Sequence, residues 1–451
     1  MTAVSPLKHL AYSAAQWHER PLTPDLQQAA RNAVLDWFAT MLAGCVHPPA
    51  TILAKAFEAE GGHGRALCYV TGGTMAPRTA ALINGTASHI VEFDDIFRDG
   101  GYHPGSPTIA AALALAQHRN VGMEPFLRAV IGGYELGCRL SLAVQPSHYR
   151  YWHTTATIGT MGAAAAAAML LGCDEAKIAA AVAIASSFAG GHQQNMQGEG
   201  MVKAMHPGHA AEAGMLAAYA AAGGATASPE ALSGAVGYAA ATSDGTGNWD
   251  AALEGVGDWT PITRMTVKNH GCCGHIFPSL DGMRAMRAQY GFGPDDIAAI
   301  DVRGYGGTKT LCDNPDPTTA QQARFSLQHC LAADMVLGGV RLAAFSPEAL
   351  ADTRLRRLMP KISVEIDVEL AAAYPRQRMA RLRVTLTDGR VLEHFQQTRK
   401  GDPEDPLTQA ELVAKFDELT AAVMLPEEAA ALRTAILQGD VLPGQARLKR
   451  G

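Results

Sequence analysis

The chain has 451 residues, of which 48% are hydrophobic and 18% are charged, and its formal net charge is −6. This composition is typical of a folded globular protein of two or three domains and excludes a largely disordered chain. The slight negative charge, without any block of lysines and arginines, gives no general attraction to phosphate backbones or anionic lipids. We therefore predict neither a nucleic acid nor a membrane as a partner.

The cysteines and the apolar runs predict a cytoplasmic protein. Eight cysteines are scattered without the spacing of a disulfide framework, and residues 1–20 contain no apolar signal-peptide core. We expect reduced thiols in the cytoplasm. The longest apolar run, residues 161–171, is too short and too rich in alanine to span a bilayer and predicts a buried helix.

Helix signals dominate the chain up to about residue 264. Thr23 is placed as an N-cap before Pro24, apolar side chains then recur along one helical face, and Gly44 closes the segment. Further helices are predicted at about residues 77–90, 107–117, 123–144, 155–171, 174–188, 209–222 and 229–234. Several are apolar on nearly all sides, which indicates helices packed inside a helical core. The alanine-rich segments 161–171 and 178–188 leave more apolar surface than one domain of this size usually covers, which predicts a homodimer through the helical domain.

The pattern changes after residue 264 and changes back near the end. Apolar side chains alternate in segments that predict an antiparallel sheet with a hairpin, covered by helices at about 279–290 and 320–337. The predicted strands contain residues 300–302, 362–370, 379–387 and 390–395. Thr408 and Glu411 form a capping box, and the apolar face of the helix they begin should pack on the N-terminal helices.

These patterns together predict a mainly α fold with two domains. Residues 1–264 and 403–451 form an all-helical domain, and residues 265–402 form a smaller α+β domain inserted into it. Four stretches, each at a break between predicted helices, carry candidate chemistry.

The stretch at residues 192–214 is the first of them. It is polar and rich in glycine, and it then starts a helix with Lys203, His206 and His209 at its entrance. A lysine and two imidazoles at a break in an apolar bundle indicate an active-site wall. The alternative is an ordinary loop with a solvated lysine.

The second stretch, residues 89–107, contains adjacent carboxylates and a histidine. Asp94 and Asp95 end a helix, and His103 stands just before the next one. The positive end of that helix would keep His103 neutral and able to act as a base, while one of the carboxylates holds an imidazole nitrogen. A turn with an incidental histidine is the alternative.

The third and fourth stretches offer anion contacts and one more histidine. Arg150 is a candidate clamp for a carboxylate, and His153 and Thr154 supply donors at a helix N-terminus; a capped helix with incidental side chains is the alternative. In the fourth stretch the adjacent pair Cys272 and Cys273 is poorly placed to chelate zinc, so a role for the nearby His275 at the domain junction is favoured over a metal site.

No motif for a nucleotide, a flavin or a metal appears in the sequence: GxGxxG, the P-loop, GxSxG and HExxH are all missing. We therefore predict no cofactor. Clusters of His, Lys and Asp suit proton transfer at a carbon next to a carboxylate, because a neutral base removes the proton while cations stabilise the enolate-like charge.

The same stretches resemble the MmgE/PrpD family. The matching segments span about residues 20–420 and are HIVEFDD with the later HPGSP, WHTTATIGTMGAAAAAAMLLG, VKAMHPGHAAEAG, KNHGCCGHIFPSLD, ARFSLQHCLA and KGDPEDPLT. The resemblance implies a large helical domain, a smaller α+β lid domain, a homodimer, and a cofactor-free active site between the domains. It places the active-site positions on Asp94, His103, His153, Lys203 and His275.

Two departures from the family pattern concern the choice of reaction. Ile96 and Phe97 stand where many members have a polar residue, and Leu311 and Cys312 lie where some decarboxylating members use a tyrosine. Dehydration, decarboxylation and epimerisation therefore all stay open at this point.

The expected function is a cofactor-independent lyase, either a dehydratase or a decarboxylase, that acts on a small di- or tricarboxylate. His103, oriented by Asp94, is the expected base, and His153 is the expected acid. Lys203 and Arg150 are expected to hold carboxylates. Thr154 and His206 are further substrate-binding candidates, and His275 is expected to close the site from the smaller domain.

Three alternatives accompany this prediction. An epimerase of a dicarboxylate such as iminodisuccinate would use the same two histidines on opposite faces of one carbon. A prenyltransferase would use Asp94, Asp95 and Asp99 to hold Mg²⁺, but it needs a second acidic cluster that the sequence lacks. The third alternative is a non-enzymatic binding protein with a degenerate site.

Overall fold

A computed structural model of the chain describes residues 5–196 and 200–449. The chain divides into a larger unit, Met1–Thr266 with Thr408–Gly451, and a smaller unit, Val267–Leu407. These divisions lie close to the boundaries predicted after residues 264 and 402. That each unit is an independent domain stays a prediction.

The larger unit is mainly helical, as predicted. It also contains a short antiparallel hairpin, β1 (Ala66–Cys68) with β2 (Gly73–Met75), so the expectation of a purely helical domain is slightly wrong. The helices before the smaller unit are α1 (Pro6–Ala15), α2 (Pro24–Gly44), α3 (Ala50–Ala56), α4 (Pro77–Ser88), α5 (Gly105–Arg119), α6 (Met123–Val144), α7 (Thr154–Leu170), α8 (Glu175–Ser186), α9 (Val202–Ala222), α10 (Tyr238–Thr242) and α11 (Trp249–Leu253).

Two of these helices begin and end where the sequence predicts. The Thr23 hydroxyl accepts a hydrogen bond from the backbone N–H of Leu26 at 3.3 Å, Pro24 occupies the first turn, and α2 ends at Gly44. The bounds of α6 also coincide with the prediction. Strong caps and long apolar faces are the signals that carry these predictions.

The prediction is wrong for two other helical segments. The helix expected at residues 209–222 begins seven residues earlier, at Val202, so that Lys203 and His206 lie in its first turns and not before it. Although proline is rare inside helices, α9 continues through Pro207. Residues 229–234 form turns and no helix, since one turn followed by Gly234 and Gly237 does not nucleate one. Residues 197–199 of the first candidate stretch lie outside the described residues.

Glycines let α9 approach its neighbours at backbone distance. A Cβ on Gly208 would lie 2.2 Å from the carbonyl oxygen of Leu82 in α4. A Cβ on Gly214 would lie 2.5 Å from the carbonyl oxygen of Thr160 in α7. These close contacts hold the first turns of α9 against the end of α4 and the side of α7, where the candidate site lies.

The smaller unit is an α+β structure. Its helices are α12 (Phe277–Tyr290), α13 (Gly306–Cys312), α14 (Ala320–Arg324), α15 (Leu327–Leu337), α16 (Pro347–Ala351), α17 (Thr353–Leu358) and α18 (Val368–Ala373). Its strands are β3 (Ile297–Gly304), β4 (Ile362–Ile366), β5 (Ala380–Leu386) and β6 (Val391–Gln396).

The sheet has the order β4-β3-β5-β6, with α12 packed on β5 and β6. The hairpin of β5 and β6 is confirmed, but the expectation of a wholly antiparallel sheet is wrong because β3 and β4 are parallel. The long helical connection between β3 and β4 permits this parallel pairing.

Two polar caps explain further differences within the smaller unit. The strand predicted over residues 362–370 ends at Ile366, because the Asp367 carboxylate accepts hydrogen bonds from the N–H groups of Glu369 and Leu370 and starts α18. The helix predicted over residues 320–337 is broken into α14 and α15. The Ser326 hydroxyl caps the second of these by accepting from the N–H of His329 at 3.0 Å.

The C-terminal helices, α19 (Gln409–Ala421) and α20 (Pro426–Gln438), pack against α2 in the larger unit. The predicted capping box between Thr408 and Glu411 starts α19. Lys415 donates to the Asp36 carboxylate at 2.5 Å and to the carbonyl oxygen of Phe93 at 2.8 Å, and all three side chains are buried. The tail thus stabilises the loop that follows α4. Among the described helices, none has the length and apolarity needed to cross a bilayer.

Candidate active site

The loop between α4 and α5 gathers a carboxylate and two histidines. The Asp94 oxygen Oδ2 lies 2.6 Å from Nδ1 of His89 and 3.2 Å from Nδ1 of His103, and it also accepts from the Ser106 hydroxyl at 3.0 Å. Because an ionised carboxylate only accepts hydrogen bonds, His89 presents a protonated Nδ1 to it. One buried carboxylate therefore orients two imidazole rings.

The protonation of His103 follows from its shortest contact. Its Nδ1 lies 2.7 Å from the backbone carbonyl oxygen of Asp95, which can only accept, so Nδ1 carries the hydrogen and Nε2 of the neutral ring is left as an acceptor. The His103 side chain keeps 11% of its surface exposed. His103 is thus a neutral imidazole whose accepting lone pair is on Nε2 and whose side chain keeps some access from outside, as a general base requires.

His89 is a member of this cluster that the sequence analysis did not single out. Its side chain is fully buried, and its Nε2 has no hydrogen-bond partner among the described residues. The His89 ring lies 5.0 Å from the ring of His103 and 5.6 Å from that of His153. His89 therefore links the Asp94 cluster to a second pair of histidines.

His153 and His206 form that second pair. His153 stands at the N-terminus of α7, and its Nδ1 lies 2.9 Å from Nδ1 of His206 on α9. Burial, followed by the charge of His89, lowers the pKa of His153 well below its usual value and lowers that of His206 to about 4. Both rings are therefore neutral near pH 7, and one hydrogen is shared between the two Nδ1 atoms.

Lys203 is buried one turn before His206 and forms an ion pair with Glu92. Glu92 has a backbone φ of 60°, a left-handed conformation that is uncommon for a residue other than glycine. Such strained residues cluster at functional sites. No sequence pattern predicts a left-handed glutamate, so Glu92 was missed although it stands two residues before Asp94.

Asp95, the second carboxylate of the pair, anchors the loop. It accepts from the Tyr134 hydroxyl at 2.8 Å and from the N–H of Gly105 at 3.1 Å. Burial and the nearby charge of Asp36 raise the pKa of Asp95 to about 7. Since both oxygens of Asp95 are occupied by the protein, its role is to fix the start of α5 and not to meet a ligand.

Two predicted substrate-binding residues lie outside the histidine cluster. Arg150 is exposed and stacks over the ring of Tyr151, with its guanidinium carbon 4.9 Å from the ring centroid. Thr154 is buried, and its hydroxyl accepts from the side-chain amide of Gln145 at 2.8 Å. In the part of the chain that the structure describes, neither residue hydrogen-bonds to an imidazole of the cluster, so the roles predicted for Arg150 and Thr154 stay predictions.

The remaining predicted residue, His275, belongs to the smaller unit. Its Nδ1 lies 2.9 Å from the hydroxyl of Tyr305, whose ring stacks on Tyr374 at 4.8 Å. Burial, then the charges of Arg378 and Arg399, lower the pKa of His275 to about 3. The sequence analysis identified the histidine but not the tyrosines and arginines that surround it.

The candidate site fits proton transfer better than it fits a metal. Ligand atoms of His89, Asp94 and His103 lie within 4.8 Å of one another. However, the 2.6 Å contact of His89 with Asp94 is a hydrogen bond, and ligand atoms around a zinc ion with bonds of about 2.0–2.2 Å would be further apart. The adjacent cysteines, where the sequence already disfavoured zinc, are no better suited to it. Burial raises the pKa of Cys272 well above its usual value and so disfavours the thiolate that binds zinc.

Comparison with known proteins follows the same division of the chain. Residues 8–249 match the family model described as the MmgE/PrpD N-terminal domain, and residues 270–439 match the MmgE/PrpD C-terminal domain. The cis-aconitate decarboxylase-like protein oryM of Aspergillus oryzae is 27% identical, covering 92% of this chain and 90% of that protein. The cis-aconitate decarboxylase of Homo sapiens is 25% identical, over 76% of this chain and 72% of its own, and that of Mus musculus is 23% identical, over 80% and 75%.

Proposed function

Because the chain belongs to the MmgE/PrpD family, we propose that it is a cofactor-independent lyase acting on a small di- or tricarboxylate. The observation that carries this proposal is the tautomer of His103. Its Nδ1–H is held by the carbonyl oxygen of Asp95 and lies beside the Asp94 carboxylate, so the neutral ring carries its accepting lone pair on Nε2. A second neutral histidine, His153, stands beyond His89 as the complementary acid.

The proposed chemistry begins at the carbon next to a substrate carboxylate. In a dehydration, His103 removes the proton from that carbon and His153 protonates the departing β-hydroxyl, which leaves as water. In a decarboxylation, the bond to a carboxylate breaks, carbon dioxide leaves, and His153 supplies the proton that replaces the carboxylate. Lys203 stabilises the negative charge that develops in either case.

Binding of a carboxylate at Lys203 has to compete with Glu92, which forms an ion pair with it. A substrate with several carboxylates meets this requirement, because one carboxylate can approach Lys203 while another binds elsewhere. His275 is proposed to take part from the smaller unit, where the charges of Arg378 and Arg399 act on it and Arg399 is itself paired with Asp402. The buried Lys203 is the cation that supports a carboxylate-bearing substrate over a neutral one.

Decarboxylation is the first reaction to test. The three relatives named above are called cis-aconitate decarboxylases or cis-aconitate decarboxylase-like, which supports an unsaturated tricarboxylate as the substrate class. Epimerisation of a dicarboxylate is the second candidate, since two neutral imidazoles are also what a two-base proton transfer requires.

One experiment separates these reactions. The purified protein is incubated in D₂O with cis-aconitate, 2-methylcitrate and a chiral iminodisuccinate, and the products are followed by NMR. A decarboxylase releases carbon dioxide and places deuterium on the product carbon, a dehydratase forms or hydrates a double bond, and an epimerase inverts and deuterates without making an alkene. Absence of turnover and of exchange with every acid would contradict the proposal.

The proposal includes no metal and no organic cofactor. Activity should therefore survive incubation with EDTA, and elemental analysis of the purified protein should find less than one metal ion per chain. A loss of activity that added zinc restores would show that His89, Asp94 and His103 hold a metal after all. We also propose a cytoplasmic location, since the eight cysteines are all buried thiols outside any disulfide.

A further inference from the structure

The pairing of His153 with His206 has a consequence for proton supply, and it rests on the lyase function proposed above. His153 is almost completely buried, and its Nδ1 is occupied by Nδ1 of His206 at 2.9 Å. An acid that gives its proton to the substrate has to recover one before the next turnover. Within the described residues, the His153 ring makes its one hydrogen bond to His206.

His206 continues this path toward the surface. Gly191 lies beside this ring, since a Cβ on it would be 3.4 Å from Nε2 of His206 and 2.3 Å from the Cβ of Ala156. Gly191 has a φ of 138°, which favours glycine, and its carbonyl oxygen accepts from the N–H of His153 at 2.9 Å. The backbone of Gly191 thus holds His153 in place, while the adjacent His206 keeps 7% of its surface exposed, against 1% for His153.

The surroundings of that nitrogen are polar. His192, which follows Gly191, and His209, which lies one turn after His206 on α9, are both exposed and close enough for their charges to act on His206. The four histidines thus run from a buried ring, His153, through a nearly buried ring, His206, to the two exposed rings of His192 and His209. Such an increase in exposure along a row of imidazoles is what a proton path from a buried site to water requires.

We propose that His206 is the relay through which His153 exchanges its proton with solvent. In the donor state, the Nε2–H of His153 faces the substrate while its Nδ1 accepts from the Nδ1–H of His206. When the Nε2 proton passes to the substrate carbon, the hydrogen of His206 moves to Nδ1 of His153, and Nε2 of His206 takes a proton from water. One proton enters and one is delivered, so neither ring becomes an anion. After the product leaves, Nε2 of His153 takes a proton from water that enters the site, the Nδ1 hydrogen of His153 moves back to Nδ1 of His206, and Nε2 of His206 releases one proton to solvent. This restores the donor state, with one proton consumed per turnover.

The relay matters most for a decarboxylation. Replacement of a carboxylate by hydrogen consumes one proton per turnover, whereas a dehydration returns to the leaving hydroxyl the proton that it removes from carbon. A decarboxylase therefore needs a path for net proton uptake. His206 acts through His153 and is a positioning and relay residue that need not touch the substrate.

The test uses two substitutions that differ in one property. In His206→Asn, the amide N–H can still donate to Nδ1 of His153 and hold that ring, but the side chain cannot pass a proton on. In His206→Ala, both functions are lost. We expect kcat of His206→Asn to fall by about 10²-fold with KM nearly unchanged, and we expect imidazole added to His206→Ala to restore kcat in proportion to its concentration.

The control is His63→Asn, a change at an exposed histidine outside α9, which should keep wild-type kcat and show no response to imidazole. Wild-type kcat in His206→Asn would overturn the proposal, as would a loss confined to KM. A His206→Ala variant that folds but does not respond to imidazole or other small buffers would do the same.

A second measurement is independent of turnover and separates the relay from the proposed function. ¹⁵N-histidine NMR of the wild type should show one ring of the pair in the Nδ1–H tautomer and the other in the Nε2–H tautomer, with a change at His153 in the His206→Asn spectrum. Two Nε2–H tautomers would mean that no hydrogen bond joins the Nδ1 atoms, and the relay would be wrong whatever the reaction. Correct tautomers without turnover of any acid would instead refute the function.

Discussion

A single carboxylate determines the state of the candidate base. Asp94 Oδ2 contacts the Nδ1 atoms of His89 and His103, and the carbonyl oxygen of Asp95 fixes the hydrogen of His103 on its Nδ1. The chemistry proposed for this protein depends on that arrangement because a ring protonated on Nε2 cannot accept a proton there. The first prediction tests this residue directly.

Replacement of His103 by alanine should lower kcat by at least about a hundredfold, since loss of a positioned acid or base typically costs about 10²- to 10⁴-fold in rate. Lys203→Ala should lower turnover as well, and the exposed His63→Ala serves as a matched control that should keep it. Circular dichroism and thermal unfolding check that each variant is folded. Full turnover in both His103→Ala and Lys203→Ala would place the active site elsewhere.

The buried histidines also predict how stability depends on pH. His148 is fully buried, donates from Nδ1 to the carbonyl oxygen of Thr242 at 3.0 Å and accepts at Nε2 from the hydroxyl of Thr157 at 2.8 Å. Burial lowers the pKa of His148 to about 4. The unfolded chain therefore binds a proton that the folded chain does not between pH 6.5 and about 4.

The stability contributed by neutral His148 is complete above pH 6.5 and is lost as the pH falls toward 4, at up to about 1.4 kcal/mol per pH unit. In His148→Gln, whose amide retains hydrogen-bonding groups but does not titrate, the unfolding midpoint in urea should fall less between pH 7 and pH 4.5 than in the wild type. Equal slopes in the two proteins would show that His148 already carries a proton when folded.

At the scale of single residues, the sequence showed which residues belong to the candidate site better than it showed the contacts that surround them. Asp94, His103 and His153 were singled out because ionisable groups interrupt apolar helices, and all three lie in or beside the imidazole cluster. His89 was missed because it ends a helix as an apparently ordinary residue. Glu92 was missed because its left-handed backbone depends on tertiary contacts and leaves no mark on composition or spacing.

Among the elements, α9 shows most clearly how packing overrides local signals. The sequence predicts that this helix begins at residue 209, yet it already begins at Val202 and contains Pro207. Close contact with α4 and α7 through Gly208 and Gly214 supplies the stability that local propensity lacks. Helix caps, in contrast, are local signals that the sequence often reveals. The caps at Thr23 and Thr408 were predicted because a hydroxyl at that position accepts from a backbone N–H of the first helical turn. The Asp367 cap was missed because it lies within a segment of alternating apolar residues that predicts a strand.

The contact between α9 and α4 gives the next prediction. A Cβ at Gly208 would lie 2.2 Å from the carbonyl oxygen of Leu82 and 2.9 Å from the backbone nitrogen of Thr86, and neither backbone atom can move without shifting α4. Gly208→Ala should lower the free energy of unfolding by about 1–3 kcal/mol. It should also reduce kcat further than the lost stability explains, because it displaces Lys203 and His206 from the imidazole cluster.

Gly223→Ala is the matched control for that change. Gly223 follows the last turn of the same helix, and its added Cβ would find its nearest atoms at 3.4 and 3.5 Å, which is close to ordinary contact. The control should keep wild-type turnover and nearly wild-type stability. If Gly208→Ala behaved like Gly223→Ala in both measurements, α9 would not be held by this contact.

For the whole molecule, the expectation of a homodimer depends on one of the two segments that the sequence suggested for its interface, residues 161–171 and 178–188. The alanine-rich run at residues 161–171 is almost entirely buried by helices of its own unit, so it offers nothing to a partner. The second suggested segment, residues 178–188, behaves differently. The outer face of α8 is only half covered, and Phe188 just after it is 41% exposed.

A dimer is predicted to form on this face. Phe188, Ile184 and Val236 line one surface depression of the larger unit, and Val236 is 97% exposed. Contiguous exposed apolar side chains of this kind are typical of protein interfaces, and burying them against the same surface of a second copy is the symmetric solution. Light scattering at micromolar concentration should therefore give about twice the chain mass of 47.4 kDa.

Charge introduced on that face should separate the copies. Phe188→Glu and Val236→Glu each place a carboxylate against an apolar surface of the second copy. The free energy of burying an unpaired charge exceeds what an interface of standard size can offset, so both variants should be monomers. Val441→Glu, a change at another exposed valine, is the control and should keep the dimer mass. A monomeric wild type would remove the prediction of a homodimer, and a dimer that persists in both charged variants would move its interface to another surface.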